Sequence, residues 1–300
     1  MNPFVEKIVP LIVAFFVGVS VKKLRMLSKD DAPILLKFVL NISLPALTIL
    51  AIYNVQVSAE MLFIPVFAMI VVMVMYMVST LANKAMQLPR PMFGSFLVGT
   101  MIMNTAYALP LFHAAFGDEG LARASLFDIG NTFMIFTFTY FNAIKYGDNA
   151  HTDKIAWGKF LKLPPLYAML IALLIKVLGF KLNPVSVNVL NLIGQPTTTL
   201  VMIALGLYFA PRRKNIGKAF LAIFIRMGLG LGIGWLLALI FGLQELTATT
   251  VIVCSALPIG FNTLIFANLE NMDREFAATM VSFSIIIALF YVPLLIYWFG

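Results

Sequence analysis

The chain has 300 residues, of which 61% are hydrophobic and only 11% are charged, and its mean hydropathy is +0.97. Soluble domains are about 45–50% apolar and about 25% charged, so this composition excludes a soluble enzyme and a disordered chain and is typical of a polytopic membrane protein. The net charge of +8 is expected to belong to the loops of such a protein, so no nucleic acid partner is predicted.

Ten long apolar segments follow one another along the chain. A membrane-spanning helix needs about 20 apolar residues, and the hydrocarbon core of a bilayer cannot satisfy an open backbone. The sequence therefore predicts an all-α membrane protein with ten transmembrane helices. The ten segments run over 4–21, 33–53, 60–82, 92–116, 120–144, 160–179, 185–210, 216–242, 246–269 and 276–299.

Lysine and arginine are concentrated in alternate connections. Fifteen of the 21 basic residues follow odd-numbered spans, whereas the even-numbered connections hold only Arg123 and Lys181. Because positive charge collects in cytoplasmic loops, the odd connections are predicted to be cytoplasmic and both termini to lie outside, in the inner (cytoplasmic) membrane of the cell.

The longest polar stretch, 146–159, separates five spans in 1–145 from five spans in 160–300 and is predicted to be a cytoplasmic linker. An odd number of spans in each half places the halves in opposite orientations. That is the condition for an inverted repeat, and the predicted architecture is therefore five plus five helices.

Matching proline motifs support the repeat. Ala108-Leu109-Pro110 lies in span 4 and Ala256-Leu257-Pro258 lies in span 9, which are corresponding positions in the two halves. Leu44-Pro45 and Gln195-Pro196 lie in spans 2 and 7, which also correspond.

Pro110 and Pro258 lie near the middle of their spans, where a proline removes a helical hydrogen bond. An opened helix presents free N–H groups at a half-helix N-terminus, and these favour a carboxylate; an ordinary proline kink is the alternative interpretation. The residues that we assign to substrate binding are Asn104, Thr105, Tyr107, Pro110, Pro258, Asn262, Asn41 and Gln195.

Ionisable residues inside predicted spans are candidates for ion coupling, because each is costly in a membrane. Asp128 and His113 are candidate proton carriers, and Ser43 is a candidate ligand for a coupling cation. Arg226 is a candidate partner for a carboxylate, with snorkelling to the cytoplasmic surface as the alternative.

Other chemistry is not expected. The single cysteine, Cys254, excludes an internal disulfide and a cysteine-based metal cluster, and His113 and His151 are too far apart for a zinc site. No nucleophile, base and acid occur together in a soluble context. We therefore expect neither an enzyme nor a bound cofactor, and the coupling ion, H⁺ or Na⁺, stays open.

Three stretches resemble the auxin efflux carrier family, which includes plant auxin exporters and prokaryotic permeases for malate and malonate. They are 41–47 (NISLPAL), 110–120 (PLFHAAFGDEG) and the stretch from Ala256-Leu257-Pro258 to Asp273 and Ala278. The resemblance implies ten helices as a five-plus-five inverted repeat, with broken helices 4 and 9 crossing beside the substrate, as in the structurally similar bile acid:sodium symporters. It also implies elevator-like motion of a transport domain against a scaffold, in many members within a homodimer.

The short connection at 146–159 is similar to that of the prokaryotic permeases, whereas plant exporters have a long one. The sequence therefore favours a secondary transporter of small organic anions. The alternatives are a sodium-coupled symporter of larger amphipathic anions, an auxin-like carrier, and, in another class, a channel or a membrane-embedded receptor.

The charge pattern predicts the topology directly. Alkaline phosphatase fused after Gly300 should be active in a bacterial host, and a fluorescent protein inserted at 150 should fluoresce, because only the former is active outside the cytoplasm. The reverse pattern of fusion activities would contradict the predicted orientation.

Overall fold

The computed structural model describes residues 3–54, 58, 60–147, 164–209 and 215–300. Most of the predicted linker, from 148 to 159, lies outside these residues, as do His151 and the basic residues at 212–214. In the described ranges the chain is helical, with one isolated antiparallel bridge and no strand, so the all-α prediction is confirmed there.

Fifteen α-helices lie in the described part of the chain, several of them separated only by short 3₁₀ or π-helical stretches. In chain order they are α1 (Pro3–Lys23), α2 (Ala32–Phe38), α3 (Leu44–Asn54), α4 (Ile64–Met86), α5 (Arg90–Met101), α6 (Thr105–Met134), α7 (Tyr140–Tyr146), α8 (Pro164–Val177), α9 (Pro184–Gly194), α10 (Pro196–Tyr208), α11 (Ile216–Ile223), α12 (Gly230–Ile240), α13 (Glu245–Ser255), α14 (Asn262–Leu269) and α15 (Arg274–Phe299); α3 continues α2 through a π-helical stretch, Val39–Ser43.

Several helices have the length and hydropathy of membrane spans. Large apolar side chains lie on the surface, such as Phe16 at 51% exposure and Trp298 at 78%, which suits contact with lipid tails. In the described ranges, the helical segments that are long and apolar enough to cross a bilayer are Lys29–Asn54, Glu60–Met86, Pro184–Tyr208, Ile216–Ile240 and Arg274–Phe299.

The chain divides into two compact units. The first unit comprises Met1–Leu62, Ala106–Ser125 and Leu161–Phe209, and the second comprises Phe63–Thr105, Leu126–Phe160 and Ala210–Gly300. Each unit therefore takes helices from both predicted halves of the sequence, because the chain leaves each unit and returns to it.

Close helix contact defines the first unit. α1 packs along α10 with Gly18 facing Gly206, where an added Cβ would lie 2.2 Å from the carbonyl oxygen of Ile203 or of Phe15, respectively. The buried hydroxyls of Ser43 and Thr197 are 2.6 Å apart and join the second and seventh predicted spans. Small residues thus let the backbones approach, as is common between membrane helices.

The second unit is organised around two short helices, α5 and α13, that end inside it. α5 ends at Met101 because Ile102 is extended (φ −86°, ψ 120°), and α13 ends at Ser255 ahead of Pro258, which lacks an N–H. Its apolar core includes Val98, Ile102, Ile135, Phe266 and Met272.

The break in span 4 is not at the expected residue. Pro110 lies inside α6, and the helix is interrupted about two turns earlier, at Ile102–Asn104, so the prediction that Pro110 opens this span is wrong. The prediction for Pro258 is correct, because this residue lies in the non-helical stretch between α13 and α14. Gly117 (φ 61°) kinks α6 where the sequence predicts the boundary between spans 4 and 5.

The α1–α10 contact predicts a stability effect. Gly206→Leu should lower the free energy of unfolding by about 1–3 kcal/mol, since the new side chain meets the main chain of α1. Thermal unfolding of the detergent-purified protein measures this. Gly232→Leu is the matched control, because no atom lies within 4 Å of an added Cβ there; equal losses in the two variants would contradict the close contact.

Candidate functional site

The two chain breaks of the second unit are joined by main-chain hydrogen bonds. Met103 and Ile259 form the isolated antiparallel bridge. The Asn104 N–H donates to the Pro258 carbonyl at 2.9 Å, and the Gly260 N–H donates to the Ile102 carbonyl at 3.1 Å. We call this join, residues 102–104 and 256–261, the crossover.

Side chains complete the hydrogen bonds of the crossover. Gly260 lies so close to Ile102 that an added Cβ would be 2.4 Å from its Cγ2 atom, so only glycine fits without a shift. The Ile259 N–H donates to the Ser284 hydroxyl at 3.2 Å. The amide of Asn131 accepts from the Met103 N–H at 3.4 Å and donates to the Met103 carbonyl at 3.0 Å.

Four half-helix ends flank the crossover. α5 and α13 end there with their carbonyl groups, and α6 and α14 begin there with their N–H groups. A helix end carries about half an elementary charge, negative at the C-terminus and positive at the N-terminus. The crossover therefore has one pair of ends that attracts cations and one pair that attracts anions.

Arg226 occupies the cation-attracting pair. Its side chain is fully buried, and its guanidinium donates to the Thr100 carbonyl of α5 at 2.9 Å and to the Ser255 carbonyl of α13. Gly230, one turn further along, leaves room for it, because a Cβ there would be 2.8 Å from Nη2. Arg226 thus neither snorkels nor pairs with a carboxylate in the described ranges.

Asp128 lies beside the anion-attracting pair. Its carboxylate accepts from the hydroxyl of Thr105, the first residue of α6, and from that of Thr132 at 3.2 Å. The Asn131 amide donates to Thr105 Oγ1 at 3.4 Å and so connects Asp128 to the crossover. Among the residues that the structure describes, no lysine, arginine or histidine forms an ion pair with Asp128.

A separate polar pocket of about 170 Å³ lies in the first unit. His113 Nε2 is 3.8 Å from Asp118 Oδ1, and both side chains are 34% exposed. Asn54 Nδ2 donates to Asp118 Oδ2 at 2.5 Å. The pocket is lined by Leu47, Leu50, Asn54, His113, Asp118, Asn191, Gly194, Gln195 and Thr198.

The structure distributes the sequence-predicted residues over these places. Asn104, Thr105 and Pro258 lie at the crossover, and Asn262 is the first residue of α14. Tyr107 is buried near the start of α6.

Four further candidates lie in the first unit. His113 and Gln195 line the pocket. Ser43 is bonded to Thr197 and to the Gly194 carbonyl, so it serves helix packing. Asn41 is exposed and donates to the Lys37 carbonyl of its own helix at 2.6 Å.

Sequence reasoning missed the partners of these residues. Asn131 follows Asp128 by three positions, a spacing that places both on one helix face, and this signal was available. The carbonyl partners of Arg226 and the pocket residue Asn191 carried no local signal, because tertiary structure alone brings them into place.

The fold and this site define a class of protein. Apolar helices that are interrupted at a buried polar centre, with hydrogen-bonded backbone at the interruption, are typical of multi-pass membrane transporters.

Comparison with known proteins agrees with this class. Residues 3–296 match the family described as Membrane transport protein. An uncharacterized transporter of Methanocaldococcus jannaschii is 26% identical over 281 residues, which cover 90% of this chain and 91% of that protein. An uncharacterized transporter of Methanothermobacter thermautotrophicus is 24% identical over 299 residues, 96% of each chain. The chain belongs to the membrane transport protein family, that of the auxin efflux carriers, so the recognition from sequence motifs is confirmed.

The geometry of Arg226 predicts a large stability effect. Arg226→Met should lower the unfolding temperature strongly, because two buried carbonyl groups lose their donors at a cost of about 1–3 kcal/mol each. Arg226→Lys should recover only part of the loss, since an ammonium group lacks the planar fork that reaches both carbonyls. Arg25→Met, at an exposed arginine, is the control and should change stability by less than about 0.5 kcal/mol.

Proposed function

We propose that the protein is a secondary active transporter of small organic anions, mono- or dicarboxylates, that works by alternating access. The observation that carries the proposal is the crossover, where α6 and α14 both begin beside the hydrogen-bonded join of two broken helices. N-terminal N–H groups at such a point favour a carboxylate group.

The proposed substrate contacts lie at the crossover and in the helices that begin there. Asn104, Thr105 and Asn262 supply amide and hydroxyl groups at the two half-helix N-termini, and Pro258 keeps the second break open. Tyr107 and Pro110, which follow along α6, are proposed as further substrate contacts and belong to the first unit.

Gln195 and His113, which line the pocket of the first unit, are proposed as further substrate contacts. Asn41 and Ser43 are left out of the proposed set, because their polar groups are bonded within or between helices.

The division of the chain supports the proposed architecture. The first unit holds α1–α3 of the first sequence half and α8–α10 of the second, and the second unit holds the remaining helices of both halves, apart from 106–125 of α6. Spans 1 and 2 therefore fall in the same unit as their counterparts, spans 6 and 7, which supports a five-plus-five inverted repeat with halves 1–145 and 160–300. We propose that the second unit, which contains the crossover, carries the substrate in an elevator-like motion while the first unit serves as the scaffold.

The environment of the carrier is part of the proposal. We place it in the inner membrane with both termini outside, in accordance with the basic residues after odd-numbered spans, and we propose a homodimer as its assembly.

A sodium-coupled symporter of larger amphipathic anions is the second candidate. One observation favours it: Asp128, Thr105 and Thr132 gather carboxylate and hydroxyl oxygens in one place, and oxygen is the ligand of hard cations. A sodium-dependent thermal shift together with binding of a bulky amphiphile, but not of malate, would establish it instead.

Binding and transport test the proposal. Malate, malonate, pyruvate and other carboxylates are added to the purified protein, and the effective one should raise the unfolding temperature, since a ligand at one hundred times its Kd stabilises by about 2.7 kcal/mol. Radiolabelled substrate then measures uptake into proteoliposomes.

Substitutions locate the site in the same assay. Asn104→Ala and Asn262→Ala should each lower uptake at least tenfold, because a buried polar contact to a charged group contributes about 1.5–3 kcal/mol. Asn268→Ala, at an exposed position of α14, is the matched control. Normal uptake by both crossover variants, folded and reconstituted, would overturn the site.

A further inference from the structure

The buried charges of the second unit are not arranged as an ion pair. Arg226 is fully buried and bonded to two carbonyl groups, and Asp128 is partly buried and bonded to two hydroxyl groups. No ion pair joins them in the described ranges. Each charge therefore has to be balanced by the helix ends that it faces.

At the C-terminal ends of α5 and α13, the positive charge of Arg226 alone balances the partial negative charges of the two helix ends. α5 and α13 each end with about half a negative charge, and Arg226 contacts a terminal carbonyl of both with one positive charge. The two carbonyls are already bonded, and the sum of charges is close to zero. Arg226 already occupies the Thr100 and Ser255 carbonyl oxygens, and the balanced charge of this side does not attract a further cation such as Na⁺.

At the N-terminal ends of α6 and α14, one negative charge balances the partial positive charges of the two helix ends. α6 and α14 begin with about half a positive charge each, and the Asp128 carboxylate is tied to the first residue of α6 through the Thr105 hydroxyl. An ionised Asp128 offsets this positive charge. A bound organic carboxylate offers the same negative charge to the same helix ends, and two anions together would leave one uncompensated in a low-dielectric site.

The other groups near Asp128 do not resolve this conflict. On its own helix it faces Asn131, Thr132 and Thr105, which are uncharged. From α13 the charge of Asp128 acts on the Cys254 thiol, a weak acid that supplies no positive charge. Arg226 directs its donors to Thr100 and Ser255. Protonation of Asp128 is the remaining way to admit a second carboxylate.

We propose that the carrier is a proton symporter in which Asp128 takes up one proton in each transport cycle, when a carboxylate group of the substrate binds at the crossover. An O–H bond forms on Asp128 from a proton of the aqueous side that supplies the substrate, and it breaks to the opposite side when the substrate leaves. A monocarboxylate then moves without net charge. This inference rests on the proposed function and names its coupling ion.

Proteoliposomes test the coupling, with radiolabelled pyruvate as the monocarboxylate probe and malate as the dicarboxylate probe. The wild-type protein should accumulate pyruvate about tenfold for each pH unit of an acid-outside gradient, because one pH unit corresponds to about 1.4 kcal/mol for a one-to-one symport. Accumulation of pyruvate should not depend on Na⁺ or on a potassium-valinomycin potential.

Asp128→Asn separates coupling from binding. The amide mimics the protonated carboxyl, so this variant should exchange internal for external probe within about twofold of wild type but should not respond to the pH gradient. Glu119→Gln makes the same change at an exposed position of α6 and should keep gradient-driven accumulation. Accumulation by Asp128→Asn in response to the gradient would overturn the role of Asp128.

Further outcomes separate this inference from the proposed function. If the wild type exchanges neither probe nor any other carboxylate, the proposed function is overturned and the coupling with it. If the wild type exchanges a carboxylate but accumulates it in response to Na⁺ or a membrane potential and not to a pH gradient, only the coupling is overturned. If Asp128→Asn does not fold, Asp128→Glu should retain the pH response, and a dye inside wild-type vesicles should report proton entry on addition of pyruvate; absence of that entry also overturns the inference.

Discussion

The bidentate contact of Arg226 with the carbonyls of Thr100 and Ser255 is the interaction on which the polar centre of the second unit depends. An interrupted helix leaves carbonyl groups without partners, and a membrane supplies no water to satisfy them. One planar guanidinium serves two interrupted helices at once, and its charge opposes both helix dipoles. Burial of an arginine ordinarily destabilises a protein, but here its guanidinium supplies the donors and the charge that two broken helices need.

The same requirement explains the other buried polar side chains of the crossover. Asn131 satisfies both main-chain groups of Met103, and Ser284 satisfies the N–H of Ile259. Each of these side chains replaces a helical hydrogen bond that the break has removed. The non-helical backbone at Met103, Asn104, Ile259 and Gly260 is thus hydrogen-bonded without water, as a chain break inside a membrane requires.

Composition and hydropathy were sufficient for the membrane class, since lipid permits few backbone structures. The second break was also predictable, because Pro258 removes a donor locally. The first break was placed at Pro110 and lies at Ile102–Asn104, since its position is set by pairing with residues 258–260, which no local rule reveals. Arg226 could be singled out as an intramembrane charge, but its two carbonyl partners are 126 and 29 residues away in sequence.

The π-helical stretch Phe224–Leu229, which contains Arg226, sets the rotational phase between α11 and α12. A π turn holds more residues than an α turn. The extra residue changes the direction in which the side chains of α12 point relative to those of α11. Loss of one residue from this stretch would turn all of α12 by about 100° relative to α11. Gly230 and Gly234 would then leave the face that meets Ser255, and bulkier neighbours would take their place. A deletion in this stretch would therefore displace the whole packed face of α12, whereas a substitution at its exposed residue Phe224 would leave that face in place.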